Sequence, residues 1–327
     1  MFYLKVPYLL YSPPTPKMHK LLYMLGGIEL LSNKILVANY GDNSLSIIDR
    51  KDLSLVGTVC LRGLLDGKTG FTRLLVENES RVLILDSDHD CLYRIDISKH
   101  KHLGQADLGR CPIRIKGFEN RIYVLNIDSN SLSIIDKSDL NIIENVYLGE
   151  KPTDLAIDPA TGDSYITNLN SHCLSVVNHE NGEIDTIKLS YMPFRIKIKD
   201  DSIYVLGFLN NHTLSCSIIS SIDIKDKLVI WEEILKGIYF DFEKSKEQDI
   251  FYLVDSENSW LYEYDKSTRE NQRKLYIGGL TNYIIYDFEN LYLNDMINNQ
   301  LVIVDIASNQ IKKRITVGRE PHDILLT

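Results

Sequence analysis

The sequence predicts an all-β fold, and within that class a β-propeller, from three observations. One segment recurs seven times along the chain at intervals of 40 to 47 residues, which is the length of a four-stranded propeller blade. Within each copy, apolar and polar residues alternate with the two-residue period of a β-strand. The chain shows no convincing apolar stripe with the 3.6-residue period of a helix.

The recurring segment is a pair of strands joined by a turn rich in Asn, Asp, Ser and Gly, residues that favour tight turns. Two copies, KILVANYGDNSLSIID and RIYVLNIDSNSLSIID, end in the identical run LSIID. A third strand and a proline-led strand follow, as in NIIENVYLG and KPTDLAID. The seven copies span residues 34–49, 81–96, 121–136, 163–178, 202–219, 249–265 and 290–305.

The segment YVLNIDSNSLSIIDKSDLNIIENVYLGEKPTDLAID resembles the YVTN-type β-propeller repeat. That repeat joins a YV-x-N strand to an N-S-hydrophobic-hydrophobic-D strand and then to a V-G-x-x-P turn. The resemblance covers roughly Gly26 to the C-terminus, although the literal YVTN motif is never intact and residues 123–126 come closest. It implies the propeller fold but no single activity, because such propellers serve as surface proteins, binding modules and scaffolds, and the architecture includes lactonases.

The number of blades depends on how the chain ends close the ring. Residues 26–33 and 320–326 both match the innermost strand of a blade, which is one inner strand too many for seven blades. Either the C-terminal strand closes the ring, or residues 2–10 and 19–25 complete an eighth, incomplete blade with it. We predict seven blades, with eight as the alternative, in one domain over residues 1–327 whose first 25 residues are atypical. In both arrangements the chain ends meet, because closure removes exposed sheet edges.

Composition and charge argue against several classes of protein. The formal net charge is −9, whereas a binder of duplex nucleic acid usually has a basic face, so we predict no nucleic-acid partner. The five cysteines are scattered, odd in number and without a CxxC pair, which argues against a disulfide framework and a structural zinc site. The N-terminal apolar run is interrupted by Lys5 and Pro7. We therefore predict no signal peptide, no membrane span and a cytoplasmic location, with a surface or secreted location if a leader was missed.

The innermost strand of each blade lines the central channel, and its side chains alternate between the channel and the neighbouring blades. When the copies are aligned on the turn proline or its equivalent, the second residue after it is mostly polar, and we predict that it faces the channel. These second residues are Arg73, Arg114, Asp154, Arg195, Tyr239, Tyr283 and Asp323, with Glu29 in the N-terminal copy. The fourth residues add Lys116, Lys197 and Asp241.

The charges at this channel mouth allow two interpretations. Arg73, Arg114 and Arg195 could converge on a carboxylate or phosphate and form an anion-binding site. Alternatively, the charges form an internal salt-bridge ring in which Asp154 lies between two arginines and neutralises them. In both cases the seven second residues are the best ligand-binding candidates in the sequence.

Motifs for metal binding and catalysis are weak or missing. Residues 86–90 (DSDHD) carry alternate carboxylates like the start of a calcium loop, but they occupy a hairpin turn and lack the glycine and distal glutamate of an EF-hand. His100 and His102 have no visible third ligand. His322 and Asp323 are adjacent in an inner strand, so they cannot form a dyad without a bulge. The sequence has no G-x-S-x-G elbow, P-loop or G-x-G-x-x-G motif, and we predict no catalytic residue, metal or cofactor.

These observations favour a non-catalytic binding module or protein-interaction scaffold with a protein or peptide partner. The alternative is a hydrolase or lyase that acts on a small anionic substrate at the channel mouth, in the manner of lactonase propellers. That alternative depends on the three arginines and on an analogy between folds.

Overall fold

A computed structural model of the chain describes residues 31–65, 70–210 and 215–327. These residues form seven antiparallel sheets of four strands each. The described ranges contain no helix that could span a membrane, and no helix of any kind. The predicted all-β, seven-bladed propeller of four-stranded blades is therefore confirmed.

The strands are numbered along the chain, and each blade runs from an innermost strand at the channel to an outermost strand at the rim. The innermost strands of blades 1 to 7 are β28 (Pro321–Leu326), β4 (Phe71–Val76), β8 (Pro112–Phe118), β12 (Pro152–Ile157), β16 (Met192–Lys199), β20 (Asp241–Lys244) and β24 (Ile284–Tyr286). The second strands are β1 (Lys34–Asn39), β5 (Arg81–Asp86), β9 (Arg121–Asn126), β13 (Ser164–Asn168), β17 (Ser202–Asn210), β21 (Ile250–Asp255) and β25 (Asn290–Asp295).

The third and outermost strands complete each blade in chain order. The third strands are β2 (Ser44–Asp49), β6 (Cys91–Asp96), β10 (Ser131–Asp136), β14 (Cys173–Val177), β18 (Ser215–Asp223), β22 (Trp260–Asp265) and β26 (Gln300–Asp305). The outermost strands are β3 (Leu55–Cys60), β7 (Lys101–Asp107), β11 (Ile142–Tyr147), β15 (Ile184–Lys188), β19 (Val229–Leu235), β23 (Glu270–Tyr276) and β27 (Gln310–Thr316).

The C-terminal strand closes the ring. β28 pairs antiparallel with β1, with Val37 opposite Ile324, and so becomes the innermost strand of blade 1. The eight-blade alternative is therefore wrong, because β28 fills the inner position that residues 26–33 also matched. Thr327 donates its backbone N–H to the Lys34 carbonyl at 3.0 Å, so the C-terminus lies beside the start of β1. Glu29 and the segments 2–10 and 19–25 lie outside the described residues.

The apolar residues form seven clusters, one between each pair of neighbouring blades. In β9, Ile122 and Val124 pack towards blade 2, while Tyr123 and Leu125 pack towards blade 4. Both faces of a blade are thus buried, which explains why the second strands are nearly continuously apolar. Burial of alternate residues on opposite faces fixes the strand register.

The repeated Asn and Ser residues of the motif form one hydrogen-bond arrangement. The Asn126 side-chain amide donates to Ser131 Oγ at 3.2 Å and to Ser133 Oγ at 2.9 Å, and Asn39 donates to the equivalent Ser44 and Ser46. A Cβ added to Gly109 would lie 2.7 Å from Asn126 Cγ, so the turn before an inner strand needs a glycine wherever this asparagine is present. The hairpin and the glycine turn of the repeat are therefore one packing unit.

Candidate functional site

One residue per blade points into the channel from the start of the innermost strand. In blades 1 to 5 the strand register shifts just before this residue, as between Pro112 and Arg114. Such a bulge re-aims the side chain that follows it. We call these seven residues the upper ring; in the order of the blades they are Asp323, Arg73, Arg114, Asp154, Arg195, Asp241 and Tyr283.

Six of the seven predicted second residues belong to the upper ring, but Tyr239 does not. Tyr239 is buried between blades 5 and 6, where its hydroxyl donates to the Lys236 carbonyl at 3.1 Å. Blades 2, 6 and 7 all lack the turn proline, and in blade 6 the residue aligned with it, Gly237, lies two residues too early. The strand pairing places Asp241 opposite Val254, one residue before the end of β21, just as Arg114 lies opposite Leu125 in β9.

The tightest contact in the upper ring joins blades 3 and 4. Arg114 Nε donates to Asp154 Oδ1 at 2.6 Å, and both side chains are buried. Burial alone would raise the pKa of the Asp154 carboxyl, but Arg114 and Arg195 outweigh burial and lower that pKa to about 2. Asp154 is therefore a carboxylate at neutral pH.

The three ring aspartates also connect three blades, 1, 4 and 6, to the next blade in the ring. Asp323, Asp154 and Asp241 each accept a hydrogen bond from the backbone amide that follows the ring residue of the next blade. The donors are Leu74, Ile196 and Ile284, at 3.0, 3.1 and 3.0 Å. Charged acceptors make such bonds stronger than neutral ones, so the aspartates have a structural role.

The other two arginines are held less tightly than Arg114. Arg73 lies 3.7 Å from Asp323 and donates to the His322 carbonyl, and Arg195 lies 3.6 Å from Asp241. Within the described ranges Arg195 donates no hydrogen bond, although only 8% of the residue is exposed. Its guanidinium lies 4.1 Å from the centre of the Phe194 ring. Burial and Arg114 lower the pKa of Arg195 to about 10.

A second layer of side chains lies two residues further along the innermost strands. In blades 3 to 6 this lower ring consists of Lys116, Ala156, Lys197 and Glu243. Lys197 donates to Glu243 at 2.9 Å, whereas Lys116 has no ion pair among the described residues. Burial and the nearby charge of Lys197 lower the pKa of Lys116. At Lys197 burial also acts to lower the pKa, but Glu243 and Asp241 outweigh it, and the pKa of Lys197 is raised. Sequence reasoning missed Glu243, because of the same two-residue displacement in blade 6.

The two rings enclose a cavity of about 400 Å³ on the channel axis, within the size range of small-molecule sites. Its lining carries six cationic side chains, Arg73, Arg114, Lys116, Arg195, Lys197 and Lys199. It carries four carboxylates, Asp154, Asp241, Glu243 and Asp323. Six minus four leaves the lining with an excess of two positive charges, although the whole chain carries −9.

The weaker sequence candidates lie outside this cavity. Asp86 Oδ1 accepts from the backbone amides of Gly70, Asp88 and His89, so its carboxylate organises the hairpin turn. Within the described ranges no three His, Cys, Asp or Glu side chains lie close enough together to hold a metal ion. A bulge does occur beside His322, but its ring stacks on Tyr40 at 5.0 Å while Asp323 pairs with Arg73.

At the rim, the outermost strand of blade 5 and the residue before it expose more large aliphatic side chains than the other described outermost strands. β19 lies at the end of its sheet, so one side of its backbone has no partner strand among the described residues. Four large aliphatic residues in and beside β19 are exposed, namely Leu228 (64%), Val229 (43%), Ile230 (59%) and Ile234 (56%). Sequence reasoning did not single them out, because apolar residues at alternate strand positions also predict burial.

Comparisons with known proteins support the fold alone. No protein-family model matches the sequence, and no curated protein matches it. A functionally unknown protein from Desulfotomaculum acetoxidans is similar in structure, with a TM-score of 0.73, 11% identity, and coverage of 90% of this chain and 99% of that one. Apo AztD from Citrobacter koseri has a TM-score of 0.63 and 12% identity, with coverage of 89% and 96%.

A third similar structure is the dihydro-heme d1 dehydrogenase NirN in complex with DHE. It has a TM-score of 0.63 and 13% identity, and the match covers 93% of this chain and 78% of that chain. At such low sequence identities the structural similarity supports a shared fold but gives no information about activity. The propeller is thus shared, while membership of the YVTN-type family stays a prediction from the motifs.

Proposed function

We propose that this propeller is a non-catalytic protein-binding module whose outermost strand in blade 5 pairs with an extended segment of a partner. The observation that carries the proposal is the exposed aliphatic edge formed by residues 228–235. Extended segments add to open sheet edges through main-chain hydrogen bonds, and side-chain pockets supply specificity.

Two other rim strands show how an edge strand can be protected from pairing. β23 carries Arg273 and Lys274, and β27 carries Lys312, Lys313 and Arg314. Lysine and arginine on an edge strand oppose pairing with another strand. β19 has no cationic residue in its seven positions, so this edge lacks that protection. β3 and β11 also lack cations, but they expose fewer large aliphatic side chains than residues 228–234 do.

The chemistry of β19 also indicates the kind of partner strand. Its central residues are Glu232 and Glu233, and Ile230 and Ile234 flank them. A second copy paired antiparallel about this centre would place glutamates opposite one another, which is destabilising. A partner strand with aliphatic residues flanking lysine or arginine complements the edge.

The test compares two substitutions of exposed isoleucines on outermost strands. Ile230→Lys places a cation on β19, and Ile184→Lys does the same on β15, where Ile184 is similarly exposed. We expect Ile230→Lys to reduce recovery of a specific partner from native extract at least about tenfold and Ile184→Lys to leave it unchanged. Equal recovery by wild type and Ile230→Lys, or a wild-type dimer that Ile230→Lys dissociates, would overturn the proposal.

A further inference from the structure

The strongest unexplained feature of the channel is Lys116, which has no ion pair among the described residues although the equivalent lysine of blade 5 has one. Lys116 lies opposite Tyr123 in blade 3, and Lys197 lies opposite Tyr204 in blade 5, so the two occupy equivalent positions. Glu243 of blade 6 binds Lys197 at 2.9 Å. Blade 4 offers Lys116 only Ala156 at the position that corresponds to Glu243.

The second feature is the unmet hydrogen-bonding capacity of Arg195. This residue is more than nine-tenths buried, lines the cavity and donates no hydrogen bond among the described residues. A guanidinium has five N–H donors in a planar fork that fits a carboxylate. Leaving such donors unpaired in a buried site is costly, and an anionic ligand would satisfy them.

Lys116 and Arg195 lie on the two blades that flank blade 4. The ring positions of blade 4 hold Asp154, which is occupied by Arg114 and the Ile196 amide, and Ala156, whose small side chain leaves space. Lys116, which has no ion pair among the described residues, and Arg195, which has only the 3.6 Å contact with Asp241, therefore flank the surface above Ala156. The lining as a whole has an excess of two positive charges, which the ion pairs leave on Lys116 and Lys199. An anion with two negative charges would balance this excess, and Arg195 would contribute its free hydrogen-bond donors.

We propose that the channel binds a small organic dianion, a dicarboxylate, above Ala156, with one carboxylate at Arg195 and the other at Lys116. The cavity wall also contains Leu75, Ile115, Ile198 and Leu325, which suit the short carbon chain between two carboxylates. This site lies on the axis, away from the rim strand β19. An experiment that disproves dicarboxylate binding in the channel would therefore leave the protein-binding proposal untouched, and the reverse also holds.

The test uses isothermal titration calorimetry with succinate and glutarate as probes, and with butyrate, succinamide and inorganic phosphate as comparison ligands. For the wild-type protein we expect saturable binding of a dicarboxylate at roughly millimolar concentration or below. Butyrate and succinamide should bind at least about tenfold more weakly. No binding of either dicarboxylate, or binding of phosphate alone, would overturn the assignment.

Two variants and one control test where in the channel the dicarboxylate binds. Lys116→Gln removes the unpaired cation, and Ala156→Glu supplies Lys116 with an internal partner in the manner of Glu243. Both should weaken dicarboxylate binding at least about tenfold, while Lys188→Gln on the exposed β15 should leave it unchanged. Thermal unfolding confirms that each variant is folded. Unchanged binding in folded Lys116→Gln and Ala156→Glu would overturn the proposed location.

Discussion

The boundary between blades 3 and 4 and the boundary between blades 5 and 6 offer the same two positions for ion pairs, but each has its hydrogen-bonded ion pair at a different position. Between blades 3 and 4 the upper pair is tight, with Arg114 at 2.6 Å from Asp154, and the lower position has Lys116 beside Ala156. Between blades 5 and 6 the upper pair is 3.6 Å apart, and the lower pair of Lys197 and Glu243 is 2.9 Å apart.

This difference separates two uses of the same geometry. The hydrogen-bonded pairs hold neighbouring blades together and neutralise one another. Two cations lack a hydrogen-bonded partner among the described residues, Arg195 in the upper ring and Lys116 in the lower ring, and they lie on the two sides of blade 4. A repeat protein can thus vary equivalent positions of one scaffold to keep some for stability and leave others for a ligand.

The largest effect expected from this comparison is on stability. Arg114→Met leaves Asp154 buried without its main partner, and such a change costs about 3–5 kcal/mol. Arg195→Met removes only a 3.6 Å ion pair without a hydrogen bond, and Asp241 keeps its bond from the Ile284 amide, so we expect a loss of only about 1–2 kcal/mol. Urea denaturation measures both free energies of unfolding. Equal losses would contradict the distinction between pairs with and without a hydrogen bond.

A second prediction concerns the acid stability conferred by Asp154. Its pKa is lowered to about 2 in the folded protein, so its ionised form adds stability above the unfolded value of about 4 and that stability is lost as the pH falls towards 2. The contribution is about 2 kcal/mol. Denaturation of wild type and Asp154→Asn at pH 5, 4, 3 and 2 should show that the variant lacks this part of the pH dependence. Parallel curves would refute the assignment.

The smallest effect concerns the two equivalent lysines. Lys197→Gln leaves Glu243 without its ion pair and should cost about 1.5 kcal/mol. Lys116→Gln removes a cation that burial and Lys197 disfavour, so the free energy of unfolding should stay within about 0.5 kcal/mol of wild type or rise. Matched denaturation curves measure the difference, and a larger loss for Lys116→Gln would mean that this lysine has a structural partner.

Much of the channel could be predicted, because strand alternation aims one residue per blade at the axis. Six of the seven upper-ring residues were found from the turn proline or its equivalent. Asp241 was assigned two residues too far along and Tyr239 was put in its place, because the residue aligned with the turn proline in blade 6, Gly237, lies two residues before the true equivalent. An alignment on Asp255, the last residue of β21, would have placed Asp241 and Glu243 correctly.

The sequence by itself determined the repeated blade, since the two-residue alternation and the Asn, Ser and Gly positions are local properties of each copy. It also named most of the charged residues at the channel, but not Glu243 or Lys199. Only the tertiary structure decided that β28 closes blade 1, because both chain ends matched an inner strand and pairing across the ring selects one of them. It also decided which charges neutralise each other, because ion pairs form between blades some 40 residues apart in the chain, such as Arg114 with Asp154.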